Sequence, residues 1–161
     1  MLAKEIAEPL LRLRYYPDPV LRHVCEPFPV EDFDIKHRRA DIQDLLDGMW
    51  EVLRYHQGVG LAAPQVGILE RVICVHTEHG CKIELINPEI EMMPRKGQFH
   101  SREGCLSWPR ERVGVMRYRQ VKVKGLDRHG DPVTFGGKMM QAAALQHEIE
   151  HLDGINLADH V

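Results

Sequence analysis

Residues 147–151 read His-Glu-Ile-Glu-His. On a helix, positions i and i+4 share a face, so His147 and His151 can offer both imidazoles to one metal ion. Glu148 lies beside them, where a carboxylate can take a proton from a water activated by that ion. The flanking sequence supports a helix. Lys138 to Leu152 contains only good or neutral helix formers, Gly136-Gly137 precede it, and Gly154 follows as a C-cap after Asp153. The N-terminal half of this stretch is apolar nearly all round, which predicts a buried helix. The competing reading is a pair of exposed histidines on a surface helix. With ten His in 161 residues, the pattern needs support from elsewhere in the chain.

A third ligand is required, and it is not downstream. Leu152 to Val161 contains no Glu, and position 157, where the metzincin spacing places a third His, is Leu157. Asp153 and Asp159 are too near in sequence to swing back onto the site. The ligand is therefore expected upstream, among the four Cys, the other His and the acids. Cys105 is the best candidate. It sits in Ser101-Arg-Glu-Gly-Cys-Leu-Ser-Trp-Pro109, a segment that reads as irregular. Gly104 lets the backbone approach a site closely, and Pro109 ends any helix. A thiolate with two imidazoles leaves one tetrahedral position open, which is the catalytic arrangement. Cys74, within Val72-Ile-Cys-Val75, reads as a core residue, and Cys81 sits by the turn His79-Gly80. Cys25 has no comparable setting. There is no Cys-x-x-Cys pair, which argues against a structural zinc ribbon. A metal-ligating thiolate favours a reducing compartment over disulfides.

A second loop stands out. Gly58-Val-Gly-Leu-Ala-Ala-Pro-Gln65 follows an amphipathic helix expected over 35–56, with Ile42, Leu45, Leu46, Met49, Trp50 and Leu53 at helical spacing. Asp34 is placed to cap the start of that helix and Gly58 its end. A plain helix-ending loop explains the glycines and Pro64. It does not require a polar Gln65 among small apolar residues. Near a metal, the Gln65 amide could donate to a developing oxyanion.

Taken in order, Gly58–Gln65, Glu103-Gly-Cys-Leu-Ser107 and Gln146-His-Glu-Ile-Glu-His-Leu-Asp-Gly154 resemble the three motifs of the peptide deformylase family. The resemblance extends from Arg14-Tyr-Tyr-Pro-Asp-Pro-Val-Leu-Arg22 to the end of the chain. It implies hydrolysis of the N-formyl group from the initiator methionine of nascent chains. Carried over residue by residue, it implies Cys105, His147 and His151 as metal ligands and Glu148 as general acid and base. Gln65 and the backbone N–H of Leu106 would bind the oxyanion. Gly60 and Gly104 would line the substrate channel, with Arg112 near the substrate path. Met140, Ala143 and Ala144 would form the methionine pocket. The implied cofactor is one divalent ion, natively Fe2+, with Zn2+, Ni2+ or Co2+ able to occupy the site. The implied partners are N-formylmethionyl nascent peptides, at the ribosome exit region. Docking there through a C-terminal extension is not expected, because the sequence stops at Val161 where the family commonly continues. Two further departures are Glu150, where an Asp usually precedes the second metal His, and Trp108, where a smaller aliphatic residue is common. Trp108 is expected to narrow or reshape the outer pocket. The alternatives are a small metallopeptidase built on the same helix and a non-catalytic, metal-stabilised relative. The intact Glu148, Gln65 and Cys105 argue against the second.

These residues need a scaffold, and the rest of the sequence sketches one. A chain of 161 residues is long enough for one catalytic domain, expected over 1–161, with its own core. Net charge is −3 with the two signs mixed, which argues against a nucleic-acid binder. Lys36-His-Arg-Arg39 reads as a solvated helix face. No signal peptide or membrane span is expected, and the cytoplasm is the expected location. Strands are expected over 71–76, 82–87, 112–118, 120–126 and 132–135, the last as an edge strand, with turns at Glu78–Gly80 and Asp127–Asp131. His79 and His129 read as solvent-facing turn residues, and Met92-Met93 and Met139-Met140 as core filler. The expected class is α+β: antiparallel sheets around a buried C-terminal metal-binding helix, with an N-terminal amphipathic helix.

Overall fold

The apolar run at Val72-Ile-Cys-Val75 is the clearest statement of how this chain folds. Alternate side chains of a strand face opposite ways, so a continuous apolar run must be covered on both faces. The computed structural model, which describes residues 7–161, shows both covers. Residues 1–6 of the expected domain lie outside the described residues. Strand β1 spans Gly60–Ala62, β2 Val72–His76 and β3 Lys82–Met92. Strands β4 (Gln98–Cys105) and β5 (Trp108–Tyr118) form a separate hairpin. Strands β6 (Gln120–Leu126) and β7 (Pro132–Lys138) return to the first sheet, whose order is β1-β2-β3-β6-β7, antiparallel throughout. Helix α1 (Lys36–His56) covers one face, burying Ile42, Leu46, Met49 and Leu53 with Val72 and Cys74. Helix α2 (Met139–Leu152) covers the other, burying Ala142, Leu145, Ile149 and Leu152 with Ile73 and Val75. The α+β class and the edge position of β7 agree with the sequence reading. Among the described residues, no helix is long and apolar enough to cross a membrane.

Several local expectations are corrected. The segment 101–109 is not irregular. Ser101–Cys105 is the end of β4 and Trp108–Pro109 the start of β5, paired as Cys105↔Trp108 across a tight turn. Pro109 is tolerated because a strand of a two-stranded ribbon has a free edge that needs no N–H. Strand β3 runs on to Met92, and β7 to Lys138. Asp34 does not cap α1. It ends a 3-10 turn (Val30–Asp34), and the N-cap position is Ile35, with no side-chain cap. Nor is Gly58 the left-handed residue at the helix end. Gln57 takes that conformation (φ 55°), and the Gly58 N–H closes onto Leu53 O. Gly58 is needed for space instead: a Cβ there would fall 2.7 Å from the Leu106 side chain and 2.8 Å from that of Leu53. Helix α2 is buried from Ala142 onward, as expected, but its first turn is not. Met139 and Met140 are exposed, as is Met92, so these methionines are not core filler.

A half-buried polar cluster ties α1 to the sheet. The indole N–H of Trp50 donates to Glu84 on β3 at 2.6 Å. Arg128 adds two charge-assisted bonds to the same carboxylate at 2.9 and 2.5 Å, and reaches Asp47 of α1 at 3.0 Å. Burial pushes the Glu84 pKa up, but these bonds and the nearby Lys82 outweigh it, so the carboxyl sits below its ordinary value. A carboxylate with a depressed folded pKa adds stability that is fully present above the unfolded value, about 4.3, and is lost as pH falls through the folded one. Urea midpoints of the wild type should therefore drop on acidification below about pH 4.3. The Glu84→Gln variant should be less stable at neutral pH, with a shallower acid limb. An unchanged acid limb would remove Glu84 from the account.

Candidate active site

Strand alternation brings the upstream ligand candidate to the helix. On β4, Ser101 and Glu103 point into the protein, and Cys105 follows at the same two-residue spacing. Cys105 thereby meets α2, where His147 and His151 lie one turn apart with ring centroids 5.0 Å from each other. The ligand-capable atoms of Cys105, His147 and His151 all fall within 4.8 Å of one another. The Cys105 Sγ is 3.3 Å from His151 Nε2. The set is one soft sulfur and two imidazole nitrogens, which suits a single first-row divalent ion.

Hydrogen bonding fixes how His147 presents itself. Its Nδ1 lies 3.0 Å from Glu103 Oε2. Arg117 of β5 holds the same carboxylate with two bonds of 2.8 Å each. Burial works against ionising Glu103, but the Arg117 guanidinium and His147 prevail and bring its pKa down to about 2. An ionised carboxylate only accepts, so Nδ1 must donate, and Nε2 is the ring nitrogen left to ligate once an ion takes the place of its proton. That is the tautomer a metal ligand needs. Arg117 also bonds Glu150 at 2.6 and 3.0 Å, and Glu150 meets His160 at 3.0 Å. Glu150 thus links the metal-helix candidate to the C-terminal 3-10 turn, Leu157–His160. The two rings differ in proton affinity. Burial lowers the His147 pKa, but Cys105 and Glu103 raise it well above the ordinary value. Burial and the neighbouring His147 push His151 well below.

Glu148 has the opposite setting from Glu103. It is buried, its Oε2 has no partner, and burial raises its pKa to about 7. Gly60 makes room for it: a Cβ at position 60 would lie 2.9 Å from the carboxyl carbon of Glu148. Gln65 is equally well placed. The Ala62 N–H can only donate, and it meets the Gln65 Oε1 at 2.9 Å, so Nε2 must face the other way. That nitrogen lies 3.4 Å from Cys105 Sγ and 3.1 Å from Ser107 Oγ.

A cavity of about 790 Å³ opens onto these groups, with Gln65, Cys105, His147 and Glu148 in its wall. Gly60, Gly104, Leu106, Arg112, Met140, Ala143 and Ala144 also line it. Every site residue expected from the sequence except His151 therefore faces the cavity, and His151 sits behind Cys105. Trp108 does not line the cavity, contrary to expectation. It packs against Tyr16, ring centroids 5.6 Å apart and tilted by 52°, because its strand position turns it away from the opening. Sequence reasoning missed the parts played by Glu103, Arg117 and Ser107. The signal was present: Val113, Val115 and Arg117 alternate on the buried face of β5, and a charged residue there demands a partner.

Residues 10–161 match the family described as Polypeptide deformylase. The peptide deformylase of Thermodesulfovibrio yellowstonii is 42% identical over 156 residues, covering 94% of this chain and 89% of that protein. That of Halothermothrix orenii is also 42% identical, covering 95% and 94%. Among solved structures, the peptide deformylase of Thermotoga maritima superposes with a TM-score of 0.85 at 34% identity, covering 96% of this chain and 99% of that one. Removing the partner that orients a ligating His typically costs about 10–100-fold in metal affinity. Glu103→Gln should therefore weaken binding of a divalent ion by about that factor in competition with a chelator. Unchanged affinity would show that the His147–Glu103 contact does not support ion binding.

Proposed function

The chain belongs to the peptide deformylase family, metal-dependent hydrolases that remove the N-formyl group from nascent polypeptides, and from that premise we propose how its own residues divide the work. Cys105, His147 and His151 hold one divalent ion, with Fe2+ as the native metal. The observation that carries this assignment is the approach of their three ligand atoms to within 4.8 Å beside the unpartnered Glu148 oxygen. The fit is chemical as well as spatial, because Glu103 fixes the His147 tautomer that leaves Nε2 free to ligate. When bound, such an ion would supply Lewis acidity, making a water more acidic and, by polarising the formyl C=O, its carbon easier to attack.

The protein groups do the rest. Glu148 takes a proton from the attacking water, whose oxygen bonds the formyl carbon, and returns it to the departing amine nitrogen as the C–N bond breaks. A carboxyl brought to about 7 by burial is suited to both halves of that transfer near neutral pH. Gln65 Nε2 and the Leu106 N–H donate to the oxyanion, each such donor typically being worth about 2.7–4 kcal/mol. Met140, Ala143 and Ala144 receive the methionine side chain. Gly60, Gly104 and Arg112 line the path of the peptide. Residues 1–161 act as one catalytic domain, a reading supported by the family match over 10–161. The enzyme works in the cytoplasm on chains emerging from the ribosome, where its substrate forms and thiols stay reduced.

Two measurements test this reading. Glu148→Gln should keep the metal content of the wild type and lose formate release from a formyl-methionyl peptide by at least about 100-fold, the lower end of acid–base contributions. Retained turnover would strip Glu148 of its role, and cleavage of an internal peptide bond without formate would reject the deformylase reading. Metal analysis of anaerobically purified protein should find iron in the wild type and an altered content or identity in Cys105→Ser. The same metal in the same amount in both would exclude Cys105 as a ligand.

A further inference from the structure

The cavity wall formed by the β4–β5 hairpin is lined by three arginines: Arg102, Arg110 and Arg112. Their arrangement follows from the strand register. Arg102 and Gly104 project from the outward face of β4, and Arg102 pairs across with Gly114 of β5. Gly114 leaves open space beside its partner: a Cβ there would meet nothing within 4 Å. Gly104 is overlain by the guanidinium of Arg112, which a Cβ would displace. Arg110 adopts a left-handed backbone (φ 71°), an unfavourable conformation for a side chain of that size. All three side chains are exposed. Among the described residues, none of the three stands within ion-pairing distance of a carboxylate.

The other charges facing the cavity do not cancel this wall. Glu103 is buried and paired with Arg117, and Glu148 is buried against Gly60, so neither presents its charge at the mouth. Glu78 on the far rim is the one remaining exposed acid in the lining. The mouth of the site is therefore positive along one side, although the whole chain carries −3. Such an imbalance selects ligands by charge and is screened by salt.

Resting on the deformylase reading, we propose that the Arg102–Arg110–Arg112 wall makes this enzyme selective for formylated peptides with an acidic side chain at one of the two residues after methionine. The methionine side chain, seated among Met140, Ala143 and Ala144, leaves the following residues to run outward past the hairpin. Arg102 and Arg110 are the specificity-determining pair, since Arg112 already lies along the substrate path.

The test is steady-state formate release by the metal-loaded enzyme from three peptides: formyl-Met-Ala-Ala, formyl-Met-Glu-Glu and formyl-Met-Lys-Lys. At low ionic strength, kcat/KM for the Glu peptide should exceed that for the Lys peptide by about tenfold, mostly through KM, given the modest strength of exposed charge pairs. The ratio should collapse toward one in about 1 M salt, where the screening length is about 3 Å. The Arg102→Gln/Arg110→Gln double variant should lose most of the discrimination. A low-salt ratio within about twofold of one, or a ratio indifferent to salt, would overturn the selectivity. So would a double variant that keeps the wild-type ratio. In each case turnover of the Ala peptide would leave the deformylase reading standing. Failure of all three peptides to release formate would instead defeat that reading itself.

Discussion

The arrangement hangs on one buried cation. Arg117 is almost wholly enclosed, and a guanidinium cannot shed its charge in a protein, so it must be met by carboxylates. Glu103 meets it from β4 and Glu150 from α2. One side chain thus joins the hairpin that carries Cys105 to the helix that carries both histidines. Pairs of this kind are poor sources of net stability, because desolvation offsets most of the attraction. Losing one partner is another matter, since an unpaired buried charge costs about 3–5 kcal/mol. The interaction therefore acts as a register lock. Any slip of the hairpin against α2 would part Arg117 from Glu150 and Glu103 from His147.

The same site contains two buried carboxyl groups with opposite assignments, and their surroundings explain both. Glu103 touches a guanidinium and an imidazole, so its charged form is stabilised despite burial and its pKa falls to about 2. Glu148 has no cation in direct contact and one oxygen without any partner, so burial dominates and its pKa rises to about 7. A permanently charged acceptor suits the orientation of His147. A carboxyl poised near neutrality suits the movement of a proton. When environments push two like groups this far apart, the roles follow from the environments.

The sequence disclosed the metal-binding candidates but not the framework that aligns them. His147 and His151 are legible because helical spacing is a local property. Cys105 was reached by elimination, yet its segment read as irregular, because Gly104 and Pro109 are poor strand residues anywhere except in an edge hairpin. Misreading that hairpin hid Glu103, whose two-residue spacing from Cys105 has meaning only on a strand. Trp108 was expected at the pocket from the family resemblance alone; its direction depends on the strand register, and the structure turns it onto Tyr16. Gly58 and Gly60 were read as turn formers. Their actual service is to leave volume for Leu106 and Glu148, which lie elsewhere in the sequence. Contacts between distant segments are what periodicity cannot supply.

Helix α2 turns one further constraint to use. Met140, Ala143, Ala144, His147, Glu148 and His151 recur at intervals of three and four residues, so they form one stripe along the helix. Ala142, Leu145, Ile149 and Leu152 form the stripe facing the sheet. Cavity lining and metal-ligand candidates therefore share a rigid ruler with a rise of about 1.5 Å per residue. The proposed methionine pocket begins at Met140, about 10 Å along the axis from His147. The small side chains at 143 and 144 keep that interval open, since larger ones would project into the cavity between pocket and ligands. Because the opposite stripe is locked into the core, the spacing cannot relax to suit a different substrate. Under the proposed assignment, the distance between the methionine pocket and the metal ligands is set by helix geometry rather than by any loop.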